Sequence, residues 1–153
     1  MTIRLWRFCR RKHLDTVWSG LGAKIAGGRW SHPGVAMVYA AESAALAGME
    51  VRVHTTRPPA DYWIVGGELP DSVTVESIEP GALPENWRGR PAPVELQDIG
   101  TTWIKSESSL LLRVPSVPVP LERNLLLNPM HEEAHKISTV HQEPFDFDPG
   151  LFR

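Results

Sequence analysis

The sequence predicts a single α+β domain with a mixed or antiparallel sheet and flanking helices. Strand-like and helix-like segments are interspersed along the chain without the regular alternation that builds a parallel sheet. The chain has 153 residues, which is the usual size of one domain and enough to enclose one hydrophobic core. A proline-rich stretch near the middle leaves flanks too small to fold separately. We therefore expect residues 1–153 to form one domain.

The first half of the chain predicts four strands and one helix. Apolar and polar side chains alternate in TIRLWRF (2–8), which is typical of a strand. VAMVYA (35–40) is a second short strand, and the alanine-rich ESAALAGMEVRVH (42–54) is typical of a helix. Two more strands follow, DYWIVGGEL (61–69) and VTVESIE (73–79), separated by a proline and an aspartate.

The second half predicts a loop, a helix and two strands. Residues 80–93 contain four prolines and two glycines, which indicates a surface loop. VELQDIGTTWIKS (94–106) is typical of a helix, and we expect it to be interrupted or to end near Gly100. The apolar segments 109–120 and 124–129 predict buried strands. Because proline cannot donate a ladder hydrogen bond, we expect these strands to lie at a sheet edge or to contain a bulge. The prolines concerned are Pro115, Pro118 and Pro120.

Composition excludes several classes of protein. The net charge is −2, so the whole chain offers no basic field for nucleic acid phosphates. Cys9 is the only cysteine, which excludes an internal disulfide framework and suits a reducing compartment. The N-terminus lacks the apolar segment of a signal peptide, and no apolar run approaches the ~20 residues that cross a bilayer. We expect a soluble cytoplasmic protein that binds neither membrane nor nucleic acid.

HEEAHKISTVH (131–141) has the spacing of a zinc protease. Such a site needs two histidines one turn apart on a helix, and a glutamate that activates metal-bound water. His131, Glu132 and His135 meet that spacing, and His141 falls where a third ligand would. However, Ser138 stands where the extended motif has glycine, and the segment is strongly polar. We interpret it as a solvated helical turn and keep a zinc hydrolase as an alternative.

A second set of residues follows the glycine-rich loop KIAGGRWSHPG (24–34). Arg29 comes after two glycines, which allow an anion to approach the backbone closely, and its planar guanidinium suits phosphate oxygens. Tyr39 ends the next strand. Glu50 lies on the apolar face of the predicted helix, where a carboxylate is costly unless it is paired or lines a cavity. The alternative is a purely structural role, in which Arg29 and Glu50 form a salt bridge and Tyr39 packs in the core.

Several separated motifs resemble the RES-domain family of bacterial toxins. They are LWR, GGRW, VYAAESAALAGMEVRVH, LQDIGTTWI, LLLRVPSVPVPLERNLLLNPMH and FDFDPGLF, and they run in the family's order from about Leu5 to Phe152. The resemblance implies a fold related to ADP-ribosyltransferases, an active site that consumes NAD⁺ as substrate without a further cofactor, and a helix-turn-helix antitoxin as partner in a hetero-oligomer. It also places NPMH in the family's C-terminal motif, so that His131 needs no zinc.

The family's functional residues fall on four positions of this chain: Arg29, Tyr39, Glu50 and Ser116. By this resemblance Glu50 stabilises positive charge on the ribose, Tyr39 orients the nicotinamide, Arg29 binds the diphosphate and Ser116 hydrogen-bonds the substrate. We expect Trp30 either to form a wall of the pocket or to pack in the core. Asn124 and Asn128, which flank three leucines, are either turn caps or pocket groups, and turn caps are favoured. Arg7 either lines the cleft or faces solvent.

The resemblance leaves the acceptor of the ADP-ribosyl group open. Water would make the protein an NAD⁺ glycohydrolase, inorganic phosphate an NAD⁺ phosphorylase, and a protein side chain an ADP-ribosyltransferase. All three share the cleavage of the nicotinamide–ribose bond, and the first two deplete NAD⁺ and arrest growth. A non-catalytic interaction module and a ribonuclease toxin are further alternatives, the latter disfavoured by the net charge of −2.

Overall fold

A seven-stranded sheet forms the centre of the molecule, and the computed structural model describes all residues 1–153 around it. The strands are β1 (Thr2–Arg10), β2 (Val38–Ala41), β3 (Tyr62–Pro70), β4 (Val75–Ser77), β5 (Leu111–Pro115), β6 (Arg123–Leu127) and β7 (Ser138–Pro144). The helices are α1 (Leu21–Ala26), α2 (Ala44–Val53) and α3 (Val94–Ser106). No helix is long and apolar enough to cross a lipid bilayer.

The sheet is mixed, as the sequence predicts. Its strand order is β4-β5-β6-β2-β1-β3-β7. Strands β4 and β5 run parallel, and every other neighbouring pair is antiparallel. Helices are few and interspersed with the strands, so the predicted α+β class is confirmed.

The junction between β1 and β2 is the weakest in the sheet. Strand β1 pairs with β3 along its whole length, from Thr2 to Arg10. With β2 it forms a single residue pair, Trp6 opposite Ala41. Strand β2 is held instead by β6, over four residue pairs. Because so little backbone pairing closes this junction, the sheet leaves space there for a cleft.

Strand β6 contains three consecutive leucines because it is covered on both faces. Leu126 belongs to the apolar cluster around Trp30 and Trp103, whereas Leu125 and Leu127 belong to the cluster on the opposite face. All three leucines are buried, because successive side chains of a strand point to opposite faces and this strand is covered on both.

Two predictions about the second half of the chain are wrong. Helix α3 runs without interruption through Gly100. The glycine serves close packing, because a Cβ atom there would lie 1.7 Å from the carbonyl oxygen of Trp30. Strands β5 and β6 are interior strands rather than edges. Pro115 is the last residue of β5, and the following prolines lie in the connection to β6, so no ladder position inside the sheet is lost.

The segment that contains the three spaced histidines also differs from its prediction. It forms only one 3-10 turn, Ala134–Lys136, and then becomes the edge strand β7. Every residue of β7 is exposed. A strand whose two faces are both solvated has no apolar alternation, so the sequence gives no periodic signal for it. The short helix α1 was also not predicted.

Candidate active site

A cleft of about 1280 Å³ opens at the junction between β1 and β2. Its walls come from these two strands, helices α1 and α2, the glycine-rich loop and the end of the loop 80–93. Typical pockets for small ligands have volumes of roughly 300–1,000 Å³. The cleft is therefore large enough for an extended ligand of several linked groups.

The charge of the cleft differs from the charge of the whole chain. Among the lining residues, four are arginines, two are histidines and only one has a carboxylate. These are Arg7, Arg10, Arg29, Arg90, His13, His54 and Glu50. The cleft is therefore locally positive although the whole chain has a net charge of −2. A cleft lined by one sign of charge concentrates ligands of the other sign. The arrangement favours an anionic ligand.

Tyr39 is fixed by the glycine-rich loop. Its hydroxyl accepts a hydrogen bond from the backbone N–H of Trp30 at 2.9 Å and lies 2.8 Å from the hydroxyl of Ser31. Burial raises the pKa of Tyr39, which keeps the phenol neutral. Gly28 is required for this contact, because a Cβ atom there would lie 2.5 Å from the Tyr39 hydroxyl. The hydroxyl is thus occupied within the protein, while the ring borders the cleft.

Trp30 combines both of the roles expected for it. It is buried in the larger apolar cluster and also borders the cleft. Its backbone packs directly on Gly100 of α3. Gln97, one turn earlier on the same helix, donates hydrogen bonds to the carbonyl groups of Gly28 and Ser31. Helix α3 therefore holds the loop that positions Tyr39.

Arg29 binds the loop 80–93 rather than Glu50. Its guanidinium Nη1 donates hydrogen bonds to the carbonyl oxygens of Trp87, at 2.9 Å, and Gly89, at 3.0 Å. Burial lowers the pKa of Arg29, and the nearby Arg90 lowers it further. The Arg29–Glu50 salt bridge considered from the sequence does not form, although both side chains line the same cleft.

Glu50 is presented by α2, which begins at Ser43. The Ser43 hydroxyl caps the helix by accepting a hydrogen bond from the backbone N–H of Leu46. Two turns later the Glu50 carboxylate enters the cleft, where its Oε2 accepts a short hydrogen bond from Nδ2 of Asn124. Asn124 lies on β6, so the carboxylate is held between a helix and the sheet. Its other oxygen has no hydrogen-bond donor within the protein.

Two polar atoms that border this cleft are left without partners. Asn124 Oδ1 and Arg7 Nε are the two buried side-chain atoms of the whole chain that have no hydrogen-bond partner. Arg7 Nη1 donates to the carbonyl oxygen of Tyr39 at 3.0 Å, across the open junction between β1 and β2. Burial lowers the pKa of Arg7. Buried polar atoms are nearly always satisfied, and both exceptions in this chain belong to residues that line this cleft.

Ser116 is not brought into the cleft with the other three predicted residues. It is fully buried, and its hydroxyl accepts a hydrogen bond from the backbone N–H of Val119 at 3.2 Å. Its neighbours Pro115 and Val117 line the cleft, but Ser116 does not. The contact that the structure gives Ser116 therefore stabilises the turn behind the cleft wall.

Sequence reasoning did not single out His54 or Arg90. His54 follows Glu50 by four residues and caps the C-terminus of α2, so the helical spacing itself was an available signal. Arg90 had no such signal, because it lies in a loop without periodicity. Of the two roles considered for Asn124, the favoured turn cap is wrong and the pocket group agrees with the structure, because Asn124 is a strand residue that borders the cleft. Asn128 was interpreted correctly, since its Oδ1 accepts from the backbone N–H of Met130.

The three spaced histidines are not brought together. His131 is a buried loop residue whose Nδ1 accepts from the backbone N–H of Glu133. His135 belongs to the 3-10 turn, and His141 lies on β7 with its ring centroid 5.8 Å from that of Trp6. The helix that a zinc-protease motif needs is missing, and the chain contains no group of three side chains that could hold a metal ion. The three histidines therefore do not form the ligand set that a zinc-protease motif requires.

Comparisons with known proteins agree over nearly the whole chain. Residues 4–148 match the RES domain. The chain is 43% identical over 150 residues to Toxin Res of Yersinia enterocolitica, covering 96% of this chain and 98% of that protein. It is 42% identical over 160 residues to the Prs ADP-ribosylating toxin of a Sphingobium species, covering 100% of this chain and 99% of that protein.

Among solved structures, the chain is similar to one from the MbcT–MbcA toxin–antitoxin complex of M. tuberculosis. The TM-score is 0.77 at 19% sequence identity, and the match covers 99% of this chain and 87% of that chain. At this level of identity the similarity shows a shared fold.

Proposed function

The chain belongs to the RES-domain family and is the toxin of a toxin–antitoxin system, and we propose that it cleaves the nicotinamide–ribose bond of NAD⁺. The growth arrest would follow from depletion of the NAD⁺ pool. The observation that carries this proposal is a large electropositive cleft with a single carboxylate, which is held in place by an asparagine whose own oxygen is unpartnered.

The chemistry requires little from the protein beyond binding, orientation and charge stabilisation. The bond between C1′ of the ribose and N1 of nicotinamide breaks, and its electron pair leaves with the nitrogen. Nicotinamide departs as a neutral molecule, so no general acid is needed. The ribose is left with oxocarbenium character, as in glycoside cleavage generally. An electrostatic partner placed before the reaction is the most effective way to stabilise such a charge.

Glu50 is that partner in this proposal. The hydrogen bond from Asn124 orients one carboxylate oxygen and leaves the other for the ribose. Asn124 is therefore a positioning residue for Glu50.

Tyr39 contributes its ring rather than its hydroxyl. The hydroxyl is already engaged by Trp30 and Ser31, so the flat face is what remains for the nicotinamide. Arg29 has a double role, because one of its nitrogens fixes the loop 80–93 while the rest of the guanidinium attracts the diphosphate. Ser116 acts through the turn that presents Pro115 and Val117 to the cleft.

The acceptor in this proposal is water or inorganic phosphate. An acceptor oxygen forms a bond to C1′ as the nicotinamide leaves, and its proton is released to solvent. A second candidate is transfer of ADP-ribose to a protein side chain. The similarity to a Prs ADP-ribosylating toxin favours that candidate, and the three reactions share the donor site described above.

An antitoxin is the partner expected for this toxin. The solved structure with the same fold is a toxin–antitoxin complex, and the family resemblance indicates a helix-turn-helix antitoxin. We propose a hetero-oligomer in which the antitoxin restrains the activity.

The test is to incubate the purified chain with NAD⁺, with and without phosphate, and to separate the products by chromatography. Glu50→Gln is expected to lower nicotinamide release by at least about 100-fold, the usual cost of removing a preorganised electrostatic partner. Glu132→Gln is the matched control, because Glu132 is exposed and remote from the cleft. Equal release by the wild type and Glu50→Gln would contradict the proposal. Radiolabel retained on a protein would favour the second candidate.

A further inference from the structure

Helix α2, which presents Glu50 to the cleft, is buried only near its start. Its two buried residues, Leu46 and Ala47, lie among its first four residues and pack in a small apolar cluster with a residue of β2. From Gly48 to His54 every residue is half-buried or exposed. Apolar burial therefore fixes the first half of the helix, and the half that carries Glu50 depends on other contacts.

Two sets of contacts on opposite sides hold this second half of α2. On the cleft side, Asn124 donates a hydrogen bond to the Glu50 carboxylate. Arg52 follows two residues later, which turns its side chain by roughly 200° about the helix axis, to the other side. There Arg52 Nε donates a hydrogen bond to the carbonyl oxygen of Leu151. The Arg52 guanidinium also lies over the ring of Phe152, 4.7 Å from its centroid, which is a cation–π distance.

Residues 145–152, which we call the strap, are anchored by a cluster of aromatic rings. Phe147 is buried at the centre of this cluster. The centroid of its ring lies 5.0 Å from that of Phe8 on β1 and 5.0 Å from that of Phe145. Phe152 joins the cluster through Phe147, at a centroid distance of 6.3 Å. Aromatic pairs at these distances attract one another, so the ring of Phe152 is held in a fixed position.

The same aromatic cluster supports the wall of the cleft. Phe8 and Tyr62 both border the cleft, whereas Phe147 does not. The Phe147 ring contacts both of them, at centroid distances of 5.0 Å and 6.2 Å. Phe8 also lies against α2, where a Cβ atom at Gly48 would be 3.8 Å from its ring. The strap is therefore joined both to the wall of the cleft and to the helix that presents the carboxylate.

We propose that Arg52 and Phe152 are positioning residues, through which the strap holds the second half of α2 so that the Glu50 carboxylate stays in place. Neither residue borders the cleft, so both act on the reaction only through Glu50. If the last turn of the helix is released, Glu50 moves with it, and a misplacement of about 1 Å in a reacting group costs about 100-fold in rate. The effect on the reaction rests on the proposed function, whereas the support of the helix does not.

Amide hydrogen exchange of the free protein tests the support of the helix. Arg52→Ala and Phe152→Ala are each expected to speed exchange at residues 50–54 about three- to tenfold and to leave the sheet unchanged. Phe152→Tyr keeps the ring and should exchange as the wild type does. Arg57→Ala is the matched control, because Arg57 is exposed beyond the end of α2 and does not border the cleft. Unchanged exchange at residues 50–54, or faster exchange throughout the sheet, would overturn the proposal.

Kinetics of nicotinamide release test the consequence for Glu50. Arg52→Ala and Phe152→Ala should each lower kcat about tenfold or more and leave KM for NAD⁺ within about twofold, because orientation of the carboxylate matters in the transition state. The double variant should lose no more than either single variant, since the two residues form one contact. Phe152→Tyr should retain the wild-type kcat. A wild-type kcat in both alanine variants, or a change confined to KM, would overturn the positioning role. Faster exchange at residues 50–54 without nicotinamide release by the wild type would support the strap and refute the proposed reaction.

Discussion

The two asparagines that flank the leucines of β6 have opposite surroundings. Asn128 is fully buried beside α3, where its Nδ2 donates to the carbonyl of Ile104 at 3.1 Å and its Oδ1 accepts from the N–H of Met130 at 3.0 Å. Asn124 borders the cleft, and only its Nδ2 is used, by Glu50. An amide whose nitrogen and oxygen are both hydrogen-bonded within the protein stabilises the fold, whereas the amide of Asn124 is used only to hold the carboxylate of the cleft.

The same contrast extends beyond the two asparagines. Near Asn128, the carboxylate of Glu133 accepts hydrogen bonds from both the hydroxyl and the backbone N–H of Thr74. Near Asn124, Arg7 Nε has no partner. The polar groups named beside Asn128 are thus satisfied by the protein, whereas Asn124 Oδ1 and Arg7 Nε are not. Substitutions at the two ends should therefore separate stability from activity.

The largest change in stability is expected for Asn128→Ala. It removes two hydrogen bonds from a fully buried side chain and leaves the N–H of Met130 without its acceptor. We expect the free energy of unfolding to fall by about 2–3 kcal/mol, measured by chemical denaturation. Nicotinamide release per folded molecule should be unchanged. A variant as stable as the wild type would show that the hydrogen bonds of Asn128 do not stabilise the fold.

Asn124→Ala should show the opposite pattern. Without its donor the Glu50 carboxylate is no longer oriented. We expect nicotinamide release to fall about 10- to 100-fold, as for a hydrogen bond to a charged group, with less than about 1 kcal/mol lost from stability. Asn128→Ala is the matched control. Full activity in Asn124→Ala would show that the hydrogen bond from Asn124 to Glu50 has no role in the reaction.

The smallest expected effect is a pH dependence of the free energy of unfolding that is caused by Glu133, near Asn128. The hydrogen bond from the Thr74 hydroxyl, at 2.7 Å, lowers the pKa of Glu133 in the folded state. This contribution is therefore complete above the ordinary glutamate pKa of 4.5 and disappears as pH falls through the lowered value. Thr74→Val should be less stable than the wild type at pH 6, and the difference should shrink toward pH 3. Thr102→Val, at an exposed position of α3, should show no such trend in denaturation curves.

Local sequence patterns were sufficient for much of the fold and for part of the site. Alternation in residues 2–8 and the leucine runs in the second half predicted β1, β5 and β6, because a strand's side chains report directly which faces are covered. The glycines before Arg29 and the misplaced carboxylate of Glu50 predicted a cleft in which both residues occur with Tyr39. Family motifs extended from about Leu5 to Phe152, and the RES-domain match covers residues 4–148.

Other features depend on neighbours that are distant in sequence. Gly100 was expected to break a helix, but its role is set by the Trp30 backbone against which it packs. Strand β7 has no apolar face of its own and exists because β3 offers it a hydrogen-bonding edge. Arg90 reaches the cleft because its loop is tethered to a residue about sixty positions earlier.

The sequence by itself determined the class of fold, the order of most elements and the chemical types of the residues around Arg29, Tyr39 and Glu50. Only the tertiary structure decided which of the two asparagines that flank the three leucines serves the cleft and which serves the core. The reason is physical: both have the same side chain and the same local pattern, and they differ only in whether helix α3 or an open cleft lies against them.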